Sequence, residues 1–163
     1  MIGFIGGSGI YDALSLDDVR TEAVSTPYGE PSGPITVGRL DGREIVFLPR
    51  HGPDHTYTPT DVPYRANVWA LRELGVERVF ASNAVGGLRE ELSPQTLVIP
   101  DQIFDRTKHR AASLEDEDEG GAAGAVVRAP YCPRASAHLA ASARDATDAD
   151  VQAGGTYVCI EGP

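Results

Sequence analysis

The stretch Pro63–Ala81, PYRANVWALRELGVERVFA, decides the fold class because a helix pattern passes directly into a strand pattern. The apolar residues of the helix recur at helical spacing and share one face: Tyr64, Val68, Leu71 and Leu74. Thr60 and Asp61 are the predicted N-caps, and Gly75 is the predicted stop. The short apolar run Val79–Ala81 then predicts a buried strand. A helix that leads into a buried strand predicts an α/β fold.

Strand patterns flank this helix and strand on both sides along the chain. Ile2–Ile5 is an apolar run that predicts a buried strand ending in a glycine-rich loop, and Leu97–Pro100 is predicted to be another buried strand. Asp41-Gly42-Arg43 separates two alternating runs, Ile35–Leu40 and Glu44–Leu48, which strongly predicts a hairpin. Together these elements predict a mixed, largely parallel sheet with flanking helices.

The pattern changes in the last third of the chain. Residues 111–128 include the acidic, glycine-rich run Leu114–Gly121, so a flexible, solvated loop is predicted there. An alanine-rich helix is predicted over Arg134–Ala146 and a last apolar strand over Thr156–Ile160. A buried strand is an unusual place for a domain to stop, so we expect residues 1–163 to be a single domain truncated at its C-terminus.

Composition narrows the class of protein. The 163 residues are 41% hydrophobic, enough for one domain core. The formal net charge of −10 disfavours nucleic acid and anionic lipid as partners.

No apolar run has the roughly 18–20 residues of a membrane span, and no signal peptide is recognised, so we expect a cytoplasmic protein. Lys108 is the single lysine, and such an acidic surface is typical of a halophilic cytoplasm. Cys132 and Cys159 are predicted to be reduced thiols.

Three loops that follow predicted strands carry groups suited to an anion. Gly6-Gly7-Ser8-Gly9 offers backbone N–H groups and a hydroxyl, Arg50-His51-Gly52 offers a guanidinium and an imidazole, and Ser82-Asn83-Ala84 offers amides. Each loop taken alone is equally consistent with an ordinary turn or a solvated strand end. The three form one phosphate site only if the sheet brings them together.

A metal site is not expected at the His51 and His55 pair. The prolines and glycine around them forbid a helix, so the spacing is predicted not to place the two side chains on one face.

Several longer strings resemble the signature of the purine nucleoside phosphorylase and methylthioadenosine phosphorylase family. They are Ile5–Ile10, Leu48–Thr56, Tyr64–Leu71, Asn83–Arg89, Asp101–Thr107 and Gly155–Pro163. The resemblance covers nearly the whole chain. The Arg50-His51-Gly52 context and the Ile160-Glu161-Gly162-Pro163 ending are most similar to the methylthioadenosine branch.

This resemblance implies a nucleoside phosphorylase-like fold and a pentosyltransferase, a glycosyltransferase that works as a homotrimer without a cofactor. The implied reaction converts S-methyl-5'-thioadenosine and the co-substrate phosphate to adenine and 5-methylthioribose 1-phosphate. The implied phosphate-binding groups are Ser8, Arg50, His51, Asn83 and the backbone of Ala84.

The chain departs from the family pattern at several positions. Pro94-Gln95-Thr96 stands where the family usually has Pro-Gly-Asp, and Leu114-Glu115 replaces an aromatic pair. Gly124–Ala129 lacks the histidine that normally reaches into a neighbouring subunit. The family continues well beyond Pro163 with the base site and the proton donor. The catalytic residues are therefore unknown, and this chain by itself is expected to be inactive.

Two alternatives stay open. One is a phosphorylase for 6-oxopurine nucleosides or methylthioinosine, because the residues that select the base are not in the sequence. The other is a non-catalytic module that binds an anion or forms oligomers.

Overall fold

The computed structural model of the chain describes residues 1–111, 113–114 and 128–161. By its contacts the chain divides into two compact units. The described residues of Met1–Ala84 and Arg110–Asp116 form the first unit, and those of Val85–His109 and Glu117–Glu161 form the second. This division does not test the single domain expected over residues 1–163, which stays a prediction. The flexible loop predicted over residues 111–128 lies largely outside the described residues and stays a prediction as well.

The first unit is built on a five-stranded mixed sheet. Its elements in chain order are β1 (Ile2–Gly6), α1 (Ser8–Ala13), β2 (Asp17–Glu22), β3 (Ile35–Leu40), β4 (Arg43–Pro49), α2 (Tyr64–Glu73) and β5 (Arg78–Ala81). The strand order is β2-β3-β4-β1-β5. Strand β1 pairs in parallel with β4 and β5, whereas β3 pairs in the antiparallel sense with β2 and β4.

The predicted hairpin is confirmed as the connection between β3 and β4. Asp41 and Gly42 have φ angles of 50° and 73°. Positive φ at both central residues is the mark of a type I′ turn, whose twist matches that of the two strands. Asp-Gly is a favoured sequence for this turn, which is why the hairpin is readable from the sequence.

The core of the first unit lies between α2 and the sheet. Its buried cluster is Ile35, Val37, Val46, Leu48, Ala70 and Leu71. The helix predicted over 63–74 is confirmed, but its predicted stripe is partly wrong because Val68 is 49% exposed. The buried helix positions are Ala66, Asn67, Ala70 and Leu71. The two alanines allow the helix backbone to approach the sheet closely, which turns Val68 outward.

The predicted N-caps of α2 are also wrong. The helix has Pro63 at its N-cap and makes no side-chain capping bond there. The Asp61 carboxylate instead accepts a hydrogen bond from the Thr58 hydroxyl at 2.6 Å. The end is as predicted, since Gly75 follows the helix with a φ of 79°.

Strand β5 is present as predicted but is not buried. Val79 is 50% exposed, because β5 lies at the edge of the sheet, where the described residues give it one neighbouring strand. An apolar run occurs in strands at the edge of a sheet as well as in its middle. The run at Val79–Ala81 therefore predicted the strand correctly but not its burial.

The described residues of the second unit form two small parallel sheets and one long helix. Its elements are β6 (Leu97–Ile99), β7 (Gln102–Asp105), α3 (Pro133–Ala146), β8 (Val151–Ala153) and β9 (Thr156–Cys159). Strand β6 pairs with β8, and β7 pairs with β9, both in parallel. The predicted helix is confirmed, and the predicted last strand is present as Thr156–Cys159, but it was expected to be buried and none of its four residues is. The run at β6 was expected to be buried, but within it only Ile99 is.

Four strand pairs in the described parts of the chain are parallel and two are antiparallel, which confirms the mixed, largely parallel α/β class. Neither Cys132 nor Cys159 forms a disulfide bond within the part of the chain that the structure describes. No helix within the described residues is both long and apolar enough to cross a membrane.

Candidate anion-binding site

Three of the predicted loops meet at one edge of the first unit's sheet. Strands β4, β1 and β5 are parallel neighbours, so their carboxyl ends lie side by side. The residue after β4 is joined to β1 by a hydrogen bond from Arg50 N to Gly6 O at 3.0 Å. The residue after β5 is joined to β1 by a bond from Ser82 N to Ile5 O, also at 3.0 Å. Open parallel sheets characteristically bind ligands at this edge.

The Arg50 guanidinium bridges two of these loops. Its Nε donates to Nε2 of His51 at 3.2 Å, and its Nη1 donates to the carbonyl oxygen of Ser82 at 3.0 Å. A guanidinium carries five N–H groups. Within the described residues, two of these N–H groups donate hydrogen bonds, and they hold the side chain in place. The other three N–H groups remain for a ligand.

His51 supports Arg50 through its ring. Nδ1 of His51 lies 3.0 Å from the carbonyl oxygen of Tyr57, which can only accept, so Nδ1 carries the proton. Nε2 then accepts from Arg50. This is the neutral tautomer, with both ring nitrogens engaged. The sequence predicted a direct anion donor here, and that role stays a prediction.

The His51 and His55 rings lie together, contrary to the prediction from their spacing. Their centroids are 6.2 Å apart and the planes are 23° from parallel. The short 3-10 turn Pro53–His55 folds the chain back, with φ angles of 53° at Asp54 and 58° at His55. Among the described residues, no group of three His, Cys, Asp or Glu side chains is suited to a metal ion.

Gly52 is needed at the end of the turn that presents Arg50 and His51. Gly52 N donates to the Pro49 carbonyl at 3.1 Å, which closes a four-residue turn with Arg50 and His51 at its centre. Gly52 has a φ of 73°, and a Cβ there would lie 2.5 Å from the carbonyl oxygen of Ser32. Any other residue would be both strained and in collision with the backbone.

The other predicted site residues take simpler positions. Asn83 and Ala84 follow Ser82 directly and are exposed. The first loop is shorter than predicted, because Gly7 is the one residue between the end of β1 at Gly6 and the start of α1 at Ser8. The Ser8 side chain lies outside the described part of the structure, so its role stays a prediction.

Sequence reasoning missed one backbone contact and two residues around this edge. The Ser82 carbonyl, which accepts from Arg50, is a backbone group that no side-chain pattern reveals. Ser32 and Asn67 are buried beneath the Arg50 turn. Asn67 could have been found from the sequence, because a polar residue at a core-facing position of α2 suggests a buried hydrogen bond. Ser32 could not, because it lies in the connection between β2 and β3, which has no periodic pattern.

Comparison with known proteins identifies relatives over the whole chain. A family model described as the phosphorylase superfamily matches residues 1–163. The S-methyl-5'-thioadenosine phosphorylase of Nitrosopumilus maritimus is 45% identical over 162 residues, 99% of this chain and 60% of that protein. The Geobacter sulfurreducens protein of the same name is 47% identical over 163 residues, 100% of this chain and 56% of that protein.

A solved structure gives the same result for the fold. The crystal structure of a methylthioadenosine phosphorylase from an antarctic soil metagenomic library superimposes with a TM-score of 0.89 at 44% identity. The match covers 99% of this chain and 56% of that one. The chain therefore spans between about half and three fifths of the length of these relatives.

Proposed function

The chain belongs to the phosphorylase superfamily, and we propose that the edge formed by β4, β1 and β5 binds inorganic phosphate for the phosphorolysis of a purine nucleoside. The observation that carries this proposal is the Arg50 guanidinium, which His51 and Ser82 fix and which keeps three N–H groups without a contact among the described residues. A planar fork of donors matches the oxygens of phosphate, and charge-assisted hydrogen bonds are the strong ones.

The proposed phosphate ligands are Ser8, Arg50, His51, Asn83 and the Ala84 backbone, and for His51 this requires its ring to exchange one of its two hydrogen bonds, to Arg50 or to Tyr57, for one to phosphate. Phosphate has to lie in line with C1′ of the ribose while positive charge develops there, so positioning and electrostatics supply most of the catalysis. The bond from C1′ to the purine nitrogen breaks and a bond from C1′ to a phosphate oxygen forms. The purine nitrogen gains a proton, which the proton lost by hydrogen phosphate on forming the ester balances. The proposed reaction uses no covalent enzyme intermediate and no cofactor.

The proposed nucleoside is S-methyl-5'-thioadenosine, which gives adenine and 5-methylthioribose 1-phosphate. The support is the name carried by relatives with 45% and 47% identity over essentially the whole chain. The native protein is further proposed to be a cytoplasmic homotrimer, which the motif resemblance implies and a light-scattering mass would test.

The experiment measures adenine release from S-methyl-5'-thioadenosine by the complete protein, for which the reaction is proposed, with and without phosphate. We expect release that requires phosphate and exceeds hypoxanthine release from inosine. Faster hypoxanthine release would favour a 6-oxopurine phosphorylase. Phosphate binding without any base release would favour a non-catalytic module.

Arg50→Ala tests the site itself. We expect it to weaken phosphate binding by roughly 1.5–3 kcal/mol, the contribution of hydrogen bonds to a charged group. Arg43→Ala is the matched control, because Arg43 is an exposed arginine at the opposite end of the same strand. An equal KM for phosphate in the two variants would exclude Arg50 from the site.

A further inference from the structure

A buried polar pair lies beneath the turn that carries Arg50 and His51. Ser32 and Asn67 are each only 3% exposed, and Ser32 N donates to Oδ1 of Asn67 at 2.8 Å. An apolar residue at position 67 would leave the buried Ser32 N–H without this partner, which costs about 1–3 kcal/mol. The pair therefore supports the fold, and any further role of Ser32 depends on its other contacts.

Ser32 contacts the turn at both of its ends. Its hydroxyl donates to the Pro49 carbonyl oxygen at 2.6 Å, the same oxygen that accepts from Gly52 N at 3.1 Å to close the turn. The Ser32 carbonyl oxygen lies so close to Gly52 that it leaves no room for a Cβ there. Ser32 thus fixes the first and last residues of a turn whose two central residues are Arg50 and His51.

Asn67 fixes Ser32 from the helix side. It lies on the buried face of α2, and its side-chain oxygen holds the Ser32 backbone N–H. The contacts run without a gap from the helix through Ser32 to the Pro49 carbonyl. The first unit's buried core is thereby connected to the Arg50 turn.

We propose that Ser32, held by Asn67, is a positioning residue that orients the Arg50 turn for anion binding. The proposal rests on the proposed function, because it takes Arg50 as a phosphate ligand. A ligand-binding group has to be held within about 0.5 Å of its working position by the residues around it. Loss of the Ser32 hydroxyl leaves the Pro49 carbonyl with the Gly52 bond alone, so the turn can tilt and misplace the guanidinium.

The experiment measures the Kd of inorganic phosphate by calorimetry on the native protein and on its variants. We expect Ser32→Ala to raise this Kd about tenfold, which is ~1.4 kcal/mol. Asn67→Ala is expected to raise it about threefold, because Ser32 keeps its hydroxyl but loses its anchor. Thr36→Val is the matched control: it removes another buried hydroxyl, on β3 and outside the turn, and should change the Kd less than about twofold.

A double-mutant cycle separates positioning from general destabilisation. If Ser32 acts through Arg50, Ser32→Ala should change the phosphate Kd by no more than about twofold in an Arg50→Ala background. An undiminished loss in that background, or a Ser32→Ala Kd equal to that of Thr36→Val, overturns the positioning role alone. No phosphate binding by the unsubstituted protein, or no effect of Arg50→Ala, overturns the proposed function and the positioning role together.

Discussion

Gln95 occupies a turn position that favours glycine. Thr96 N donates to the Ser93 carbonyl at 3.2 Å, and Gln95 has a φ of 72°. Pro94 precedes it, and the proline ring excludes positive φ, so this is a type II turn with Gln95 at its third position. The family usually has Pro-Gly-Asp in this place, and the geometry explains why glycine suits it.

Gln95→Gly is expected to stabilise the protein. Relief of the left-handed strain is worth about 1–2 kcal/mol, and the added freedom of the unfolded chain costs ~0.4–1 kcal/mol. The net gain in the free energy of unfolding is about 0.5–1 kcal/mol by urea titration. Gln102→Gly in β7, which lacks positive φ, is the control and should destabilise. A loss of stability in Gln95→Gly would contradict this account of the turn.

Glu161 is held by three hydrogen bonds from one short segment. Its Oε1 accepts from Lys108 N at 2.8 Å and from His109 N at 2.5 Å, and its Oε2 lies 2.9 Å from Nδ1 of His109. These bonds favour the charged form and lower the pKa of Glu161 to about 2, with the His109 backbone bond as the largest cause. The carboxylate thereby ties the end of the β9 segment to the loop after β7.

The depressed pKa predicts how this contact depends on pH. The folded pKa of Glu161 lies below the ordinary value of 4.5, so its contribution to stability is complete above pH 4.5 and is lost as the pH falls toward 2. Glu161→Gln should therefore lower the unfolding temperature at pH 7, with a difference that narrows below pH 4.5. A carbon NMR titration of the Glu161 carboxyl measures the midpoint directly. A midpoint near 4.5 would show that the three bonds are not formed in solution.

Helix α2 offers an element-scale test of the packing. Leu71 is 2% exposed within the core cluster, whereas Val68 on the same helix is 49% exposed. Leu71→Ala should lower the free energy of unfolding by about 2–5 kcal/mol, because it leaves a cavity against the sheet. Val68→Ala is the control and should cost less than about 1 kcal/mol. Similar losses in the two variants would mean that Val68 is buried together with Leu71, as the helical spacing alone predicted.

Elements specified by local sequence were predictable from the chain. The Asp41-Gly42 turn and the end of α2 at Gly75 each depend on one residue's backbone preference. Burial was harder, because Val68 and Val79 are equally apolar in sequence, and which side they face depends on partners far along the chain. Three strands were missed: Asp17–Glu22 is charged, Val151–Ala153 is short, and Gln102–Asp105 has only two apolar residues.

Part of the candidate site was predictable from the sequence and part was not. The Arg50 and Ser82 loops were found because glycines and polar groups follow apolar runs, and the register of β1 with β4 and β5 joins them. The buried contacts of Ser32 and Asn67 join residues 35 positions apart in a connection and a helix. No spacing rule links such a pair, so only the folded chain reveals it.

At the scale of the whole molecule, charge is the dominant feature. The chain has 24 acidic and 14 basic residues, a formal excess of ten negative charges. Some arginines are paired at the surface: Arg20 contacts Glu22 and Glu44 at 2.9 and 2.8 Å. Exposed pairs of this kind contribute only about 0.2–1 kcal/mol each. The unpaired acidic excess therefore decides the response to salt.

Salt is expected to stabilise the protein, as the halophilic hypothesis requires. Raising NaCl from 0.05 to 0.5 M shortens the screening length to about 4–5 Å, which weakens repulsion among the exposed carboxylates more than it weakens the few ion pairs. A gain of about 1 kcal/mol corresponds to a rise of roughly 2–4 °C in the unfolding temperature by circular dichroism. Sucrose at equal osmolarity controls for general solute effects, because it does not screen charge, and the rise in NaCl should exceed the rise in sucrose. A fall in unfolding temperature with NaCl would mean that the surface ion pairs outweigh the acidic excess.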